Sequence, residues 1–490
     1  MSAEIRSPCR PSCNASTSHD SPPFGTIGPW LRGLSEIETS RIRTALRELL
    51  ASTPRGQIPR IDRCSLDQRI AAIDRALNRQ LDALLHHPAI KQLEARWRGL
   101  AFVTERIAAG GSVRVEFLAA STQELAIDFE ESPEFTQSGL YNLVYTRALA
   151  TYGASPYGLL CGDFSSGPER HDLDLLRAIA RVCAAAQVPF VGNASAGLLG
   201  VRDFAELAGL ADVEASIAGA ASRRWRALRA DPNARYLGLC LPRFLLRAPI
   251  DVDRQPDSIL RYREHIRDER DLLWGHASLA FTVRVAEAFH RYRWCVSILG
   301  SQLCEVIPAD PPGLRSTCSV DLLVSRRLEG ELTTSGLISM AYDRRLGGLT
   351  FHAAPSLASA PSETSCDELH TQLQYVFLSG RVAHYLRRIE RDTLGAWDDP
   401  RQLEASLQAW LRRHVADLED AHWETRSRRP FRRAKLQLER TPSGWIRVQL
   451  EIEPHFTHHG APIVLTTNSR LDSAALQEHP HDANDPTPRP

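Results

Sequence analysis

The sequence predicts an α/β fold with additional α+β elements, arranged as several domains around a βαβαβ core. An alternating run, Val113–Leu118, and two short apolar runs, Tyr157–Phe164 and Val188–Val191, are typical of strands. A helical segment over Gln123–Thr151 separates the first two runs. Between the last two, apolar residues recur every three or four positions over Asp172–Ala186, which predicts an amphipathic helix. Strands that alternate with helices predict a layered sheet that is at least partly buried.

Length and charge set the broad class of the protein. The 490 residues are enough for two to four domains, and 43% of them are hydrophobic, which is ample for packed cores. Lys and Arg number 59, and Asp and Glu also number 59, so no net field attracts nucleic acid or a charged membrane surface. The composition therefore predicts a soluble multi-domain protein.

The sequence also predicts a cytoplasmic location. Residues 1–23 lack the apolar segment of a signal peptide, and no run of about 18 uncharged apolar residues occurs that could span a bilayer. The ten cysteines are scattered through apolar contexts, which favours buried thiols in a reducing compartment over a disulfide framework.

The N-terminal arm, residues 1–64, is predicted to be partly disordered, with a short extended segment at Gln57–Ile61. A capping-box sequence at Ser65 then starts a helix. Its apolar residues are spaced alternately four and three apart, which predicts a helix packed along one partner surface: Leu66, Ile70, Ile73, Leu77, Leu81 and Leu84. Pro88 restarts the chain into a second helix, Ile90–Ile107.

The middle of the chain continues the α/β pattern. Phe204–Arg229 is predicted to be mostly helical, and residues 248–269 form a polar surface insertion. A helix is predicted over Trp274–Tyr292. Further strands are predicted at Tyr236–Leu241, Cys295–Leu299, Val320–Val324 and Leu337–Met340.

The C-terminal part combines two helices, Leu369–Ile389 and Gln402–Leu418, with a β-hairpin. The hairpin strands, Lys435–Glu439 and Ile446–Ile452, alternate strictly between apolar and polar residues. Their apolar face comprises Leu436, Leu438, Ile446, Val448, Leu450 and Ile452. Because an isolated hairpin is marginally stable, we expect further strands, one of them at Ile463–Leu465.

The clearest catalytic alternative is the loop Asn193–Gly197, which is similar to a nucleophile elbow around Ser195. That motif needs glycine two residues before the serine, where this chain has Asn193, and the sequence assigns no His or acid partner. The glycines Gly192, Gly197 and Gly200 match neither a P-loop nor a dinucleotide fingerprint. A hydrolase-like α/β enzyme remains the alternative to a non-catalytic protein.

Other polar clusters favour ordinary surface roles. We interpret three histidines after the last hairpin strand as solvent-exposed residues rather than metal ligands: His455, His458 and His459. The basic run Arg426–Lys435 has one interleaved aromatic residue, Phe431, which is too few for a nucleic-acid-binding platform. The helix Arg223–Arg229 is basic, with Trp225 and Leu228 expected in the core. We therefore predict no catalytic residue, metal, cofactor or nucleic-acid site.

Blocks of sequence in a fixed order give a family resemblance over roughly residues 65–460. The chain resembles the large subunit of the type VI secretion contractile sheath, the TssC/VipB family, with a divergent stretch at residues 303–365 that leaves open a divergent second copy. The matching blocks include Leu85–Pro88, Leu93–Leu100, Thr136–Tyr141, Pro156–Gly158, Ala186–Phe190, Trp225–Arg229, Arg235–Arg247, Leu273–Gly275, Tyr292–Cys295, Arg381–Tyr385, Arg426–Pro430 and Gly444–Val448.

The resemblance implies a structural protein rather than an enzyme. Members pair with a small sheath subunit, TssB or VipA, and self-associate in a helical lattice around a tube of Hcp. The sheath meets a baseplate, contracts to propel the tube, and is disassembled by the AAA+ ATPase ClpV. The implied domains are the arm 1–64, the core sheath domain 65–247, an outer domain 248–366, a C-terminal domain 367–469 and a disordered tail 470–490.

The same resemblance assigns two sets of partner-binding residues. Inter-subunit strand pairing would use the arm and the hairpin, at Ile58, Ile61, Leu436, Leu438, Ile446, Val448, Leu450 and Ile452. The arginines Arg224, Arg226 and Arg229 would face the inner tube.

Overall fold

The computed structural model describes most of the chain after residue 62. The described residues are 40, 44, 63–108, 111–210, 212–217, 220–251, 262–300, 307–308, 320–343, 348–359, 371–392, 400–418, 421–440, 446–455 and 465–471. Ile58, Ile61 and the tail after residue 471 therefore lie outside them.

The chain divides into two compact units, residues 1–76 and residues 77–490. In the first unit, the Thr44 hydroxyl donates to the Ser40 carbonyl over 3.0 Å, a helical spacing. Helix α1 (Arg63–Leu85) begins in the same unit, which confirms the predicted helix, although it starts two residues before the predicted capping residue Ser65.

The second unit contains the remaining elements. Its helices are α2 (Pro88–Ala108), α3 (Thr122–Glu131), α4 (Gly139–Tyr141, continued by a π-helix over Asn142–Ala150), α5 (Arg170–Ala186), α6 (Val213–Ser216), α7 (Ala220–Arg229), α8 (Ala277–Tyr292), α9 (Arg326–Thr334), α10 (Leu373–Asp392), α11 (Pro400–Arg412) and α12 (Trp423–Arg428). Short 3₁₀ turns lie at Phe135–Gln137, Ala196–Leu199, Phe204–Gly209 and Pro232–Tyr236. Among the helices described, none is long and apolar enough to cross a membrane.

The strands form two main sheets. They are β1 (Leu160–Ser166), β2 (Phe190–Ala194), β3 (Leu237–Leu241), β4 (Phe244–Leu245), β5 (Trp274–Gly275), β6 (Ile307–Pro308), β7 (Leu337–Asp343), β8 (Gly348–Phe351), β9 (Phe431–Arg440), β10 (Ile446–Pro454) and β11 (Leu465–Leu471). A six-stranded sheet has the order β1-β2-β3-β7-β8-β6, and a three-stranded sheet has the order β11-β10-β9.

The large sheet is the α/β layer that the sequence predicts. Strands β1, β2, β3 and β7 run parallel, and β8 turns back antiparallel to β7. Every residue of β2 and β3 is buried, as expected for central strands covered on both faces by helices. Helix α5 buries the predicted residues Leu173, Leu176, Ala180 and Cys183 on one side, and α8 covers β1, β2 and β3 on the other.

The predicted opening strand at Val113–Leu118 is wrong. These residues pair with no strand among the described residues, and Val113 and Val115 pack against the buried side chains of α2 and α8 instead. The βαβαβ core is nevertheless present one strand later, as β1-α5-β2-α7-β3. The alternating pattern records burial of one face of the segment, and two packed helices provide that burial here.

Two other predicted strands are also wrong, and one helix starts later than expected. Cys295–Leu299 forms no ladder, since Val296 packs into the C-terminal core and Ile298 into the core of the large sheet. At Val320–Val324 a single bridge joins Val320 to Phe244. Trp274 belongs to β5, so the predicted helix begins only at Ala277.

The C-terminal hairpin is confirmed, with Val448 opposite Leu438 and Leu450 opposite Leu436. The third strand runs over Leu465–Leu471, slightly later than the predicted Ile463–Leu465. The helix predicted to reach Leu418 ends at Arg412, because residues 414–416 turn to bond with Phe431 at the start of β9.

Helix α10 joins the two cores. Near its start, Leu373, Val376 and Phe377 pack into the core around the large sheet. On another face of the helix, the side chains that enter the core of the C-terminal sheet are Tyr375, Leu378, Val382 and Leu386. Gly380 lies against the Gln187 carbonyl at the end of α5, so closely that a Cβ at this position would overlap the carbonyl oxygen.

We expect Gly380→Ala to destabilise the protein by about 3 kcal/mol. The new methyl group would overlap the Gln187 carbonyl oxygen, so α10 would have to move away from the end of α5. Gly330→Ala is the matched control, since Gly330 is a helical glycine of α9 with open space around it. The control should be neutral or up to about 1 kcal/mol more stable. Urea unfolding of both variants measures the difference, and equal midpoints would contradict this packing.

Candidate assembly interface

The apolar face of the C-terminal sheet forms the core of its own domain. Leu436, Val448, Leu450 and Ile452 are buried and pack with side chains of α10 and α11. Leu438 is half-buried against the same cluster, and Ile446 lies in β10 opposite Arg440 and Leu471. These predicted interface residues therefore shape and support the sheet, and a partner strand would meet its backbone edges.

Strand β10 is central, so the outer edges of this sheet belong to β9 and β11. The start of β9 is covered where the Phe431 amide donates to the His414 carbonyl and the Ala416 amide donates to the Phe431 carbonyl. Beyond that point, Arg433 and Lys435 are exposed on the solvent face of β9. Among the described residues, no further strand pairs with the outer edge of β9 beyond Phe431 or with the outer edge of β11.

The arginines of α7 have two different environments. Arg224 and Arg226 are exposed, whereas Trp225 and Leu228 are buried as predicted. Arg229 is half-buried, and its guanidinium donates to the carbonyls of Thr334 at 2.9 Å and Leu357 at 3.2 Å. Arg229 thus braces α7 against the C-terminal end of α9 and against the backbone at Leu357.

Several arginines of the basic run Arg426–Lys435, which begins in α12 and continues into β9, are paired. Arg428 bonds Glu424 at 3.0 Å and Arg432 approaches Glu453 at 3.4 Å. Phe431 is fully buried and cannot serve as a stacking platform for a base. His455 is half-buried, whereas His458 and His459 lie outside the described residues.

The predicted elbow loop has a structural role. Asn193 is buried, and its amide donates to the Gly162 and Phe164 carbonyls and to the Ser278 hydroxyl at 2.9–3.2 Å. Its side-chain oxygen accepts the Ser278 amide at 2.9 Å. Ser195 caps the following 3₁₀ turn by accepting the Leu198 amide. The hydrogen bonds of Asn193 and Ser195 thus hold the junction between β2 and the following turn.

Sequence reasoning missed a serine–histidine–aspartate arrangement at the edge of the large sheet. His276 Nδ1 lies 2.7 Å from Asp163 Oδ1, and its Nε2 lies 3.1 Å from Ser165 Oγ. The only signal in the sequence was the spacing of Asp163 and Ser165, which places both on one face of β1.

This arrangement lacks the surroundings of a nucleophile. Ser165 lies within a strand rather than on a sharp turn. Two amides of adjoining loops already have acceptors, since Gly167 donates to Asp172 Oδ2 at 2.6 Å and Ser195 donates to the Ser166 carbonyl at 3.0 Å. Neither of these two amides is therefore free to bind an oxyanion. The three side chains instead tie the edge strand to the start of α8.

Buried histidines mark the junction between the two cores. His384 of α10 donates from Nε2 to the Ala186 carbonyl at the end of α5, over 2.7 Å. Burial, together with the nearby charges of Arg381 and Arg387, lowers the pKa of His384 to about 4. Burial also lowers the pKa of His414, which packs between Trp294 and Trp410. The folded protein therefore favours the neutral form of the His384 and His414 imidazoles.

We expect Asn193→Ala to destabilise the protein by about 2–4 kcal/mol, because it removes the acceptor of the Ser278 amide and one donor to each of the Gly162 and Phe164 carbonyls. Asn142→Ala, at an exposed position, should change the unfolding free energy by less than about 0.5 kcal/mol. Chemical denaturation compares the two, and a small effect at Asn193 would show that its hydrogen bonds contribute little.

We also expect stability to fall as the pH falls from about 6.5 to about 4. The unfolded chain takes up a proton near the ordinary histidine pKa, whereas folded His384 resists protonation until about 4, so up to about 3 kcal/mol is lost in that window. His384→Gln removes this proton uptake and should flatten the profile. His87→Gln, at an exposed position, should leave the slope unchanged. Denaturant midpoints measured at several pH values test this prediction. Parallel profiles for the unaltered protein and His384→Gln would contradict it.

Two family models match successive parts of the chain. Residues 67–358 match the EvpB/VC_A0108 tail sheath N-terminal domain. Residues 362–471 match the EvpB/VC_A0108 tail sheath gpW/gp25-like domain. The boundary between the two models falls just before α10.

Individual relatives agree with the models. The type VI secretion system sheath protein TssC1 of Pseudomonas aeruginosa is 28% identical over 431 residues, which cover 84% of this chain and 86% of that protein. A crystal structure of a sheath tail protein from Desulfitobacterium hafniense shares 9% identity, covers 61% of this chain and 60% of that one, and gives a TM-score of 0.30, too low to support an argument. With both family models matched in chain order, the protein belongs to the EvpB/VC_A0108 tail sheath family.

Proposed function

We propose that this chain is the structural large subunit of the contractile sheath of a type VI secretion system. The match to both sheath domains and the likeness to TssC1 over most of its length support this role. The family is structural, and the serines at the two sites that resemble catalytic ones serve as a helix cap and a strand tie. The chain works in the cytoplasm by assembly rather than by catalysis.

The observation that carries the proposal is the C-terminal sheet with its two outer strands. Its apolar face is fixed on α10 and α11, so the edges of β9 and β11 are held in place for backbone pairing with strands from neighbours. Adding a strand from one neighbour while donating one to another is a heterologous contact, which generates a helix when it does not close. We assign Ile58 and Ile61 of the arm to the donated strand.

The assembly partners follow from the same role. The small subunit, of the TssB/VipA type, co-assembles with this chain around the Hcp tube, and the lattice ends at the baseplate. The exposed Arg224 and Arg226 of α7 face the tube, and Arg229 holds the helix in position. The ATPase ClpV takes the contracted sheath apart.

Helix α10 suits a lattice that contracts. It links the edge-bearing sheet to the large α/β layer through buried contacts on both sides, so the domain can rotate as one body. The donated strands keep neighbours connected during that rotation. Contraction then changes the packing between subunits without unfolding any of them.

The test is co-expression with the small sheath subunit of the same secretion system, followed by negative-stain electron microscopy. We expect long hollow tubules from the unaltered pair. Ile58→Pro combined with Ile61→Pro should keep the heterodimer but abolish tubules, since proline cannot donate a ladder hydrogen bond. Ser16→Pro combined with Ser18→Pro, at the predicted disordered end, is the matched control and should still give tubules. Failure of the unaltered pair to associate would refute the proposal.

A further inference from the structure

Helix α3 carries exposed carboxylates that nothing in the described part of the chain neutralises. No lysine or arginine occurs between Arg114 and Arg147, a stretch that includes all of α3. Glu130 and Glu131 are exposed at the end of this helix, and the exposed Glu134 follows just beyond it. Among the described residues, none of these three carboxylates is in an ion pair.

This arrangement costs stability locally. The carboxyl end of a helix carries partial negative charge, so the helix dipole disfavours Glu130 and Glu131 at this position. One side of α3 is already occupied, because Leu125 and Phe129 pack against the core that contains α5. Ile127 is not part of that core and is 49% exposed. The exposed side of α3 is here called the acidic face and comprises Ile127, Glu130, Glu131 and Glu134.

A surface of opposite sign lies where α11, α12 and the start of β9 meet. Arg412 and Arg413 are exposed at the end of α11, and Arg429 is exposed just after α12. The two segments adjoin, since the Phe431 amide donates to the His414 carbonyl over 3.2 Å. The three exposed arginines are here called the basic face: Arg412, Arg413 and Arg429.

The basic face also concentrates like charge. Burial lowers the pKa of His414, and so do the nearby charges of three arginines: Arg381, Arg413 and Arg429. No carboxylate among the described residues forms an ion pair with the basic face. Leu418 lies further along the same segment and is 60% exposed. Features that work against local stability are expected at functional sites, where a partner compensates them.

We propose that the acidic face of one copy of this chain binds the basic face of a second copy in the sheath lattice. This rests on the proposed function, because it names a contact between neighbours in that lattice. Three carboxylates meet three guanidinium groups, and Ile127 and Leu418 supply apolar contact. The chain itself carries both complementary faces, so a second copy is the expected occupant. Because the two faces differ, the contact is heterologous and can repeat along a helix.

The contact is weak in isolation and becomes effective by repetition. Exposed ion pairs are screened by salt, and each contributes little by itself. Free chains therefore do not associate through these faces. Copies that donated strands already join hold the two faces at a high effective concentration, so the same ion pairs form within the lattice. The contact then fixes the position of neighbours that strand pairing has brought together.

The experiment co-expresses the full chain with the small subunit, reverses the charge of one face at a time and counts tubules. Glu130→Arg with Glu131→Arg should reduce the number of tubules by about tenfold or more, because it brings positive charge against the basic face. Arg413→Glu with Arg429→Glu should have the same effect. Combining all four substitutions in one chain should restore most of the tubules, since the ion pairs form again with exchanged sign.

Arg181→Glu with Arg326→Glu is the matched control, because both arginines are exposed and lie outside the two faces. It should leave the number of tubules unchanged. Unaltered heterodimer recovery and urea midpoints in every variant separate loss of the contact from loss of folding. Normal tubules after charge reversal of either face, or no restoration in the fourfold variant, would overturn the inference. An unaltered pair that does not associate refutes the proposed function, and this inference with it.

A carbodiimide cross-link identifies the occupant directly, because it couples a carboxylate to a neighbouring amine. The lysines of the chain are Lys91 and Lys435, so Arg413→Lys with Arg429→Lys adds amines to the basic face and keeps its charge. In tubules made from isotope-labelled and unlabelled chains, we expect links from the acidic face of one copy to these amines of another. Links to the small subunit alone, or within single copies alone, would contradict the proposal.

Discussion

The packing of α10 on the end of α5 is the contact on which the two-domain arrangement depends. Gly380 allows the helix to touch the Gln187 backbone, and His384 bonds the Ala186 carbonyl one turn later. On either side of this contact, the same helix contributes to both hydrophobic cores. A larger residue at 380 or a charge at 384 therefore disturbs the whole molecule, because no other described helix contributes buried residues to both.

Local patterns predicted the elements that are stabilised locally. The helix α5 and the hairpin β9–β10 follow from apolar spacing and a turn, and both occur where expected. The alternating runs Val113–Leu118 and Cys295–Leu299 failed for a common reason. Alternation reports which side chains are buried, whereas a strand also needs a neighbour for its backbone, and that neighbour is set by residues far away in the chain.

The candidate sites show the same division between local and distant information. The sequence placed Leu450 and its neighbours on one face of the hairpin, but it could not tell that α10 and α11 would cover that face. It grouped Arg224, Arg226 and Arg229 by charge, although Arg229 bonds the end of α9 and the Leu357 carbonyl. The Asp163–His276–Ser165 contact joins residues more than a hundred positions apart, with no spacing rule to reveal it.

The cations on β9 have a consequence for how the protein behaves alone. Arg433 and Lys435 project from the solvent face of a strand whose edge is otherwise suited to pairing. If two copies met through this strand, each would bring its positive side chains near those of the other, and the pairing would lose free energy. The edge thus resists aggregation of newly made chains, and a strand with compensating carboxylates can still be added. The same positive charges of Arg433 and Lys435 would then keep the free protein soluble and select the strand that pairs with β9 during assembly.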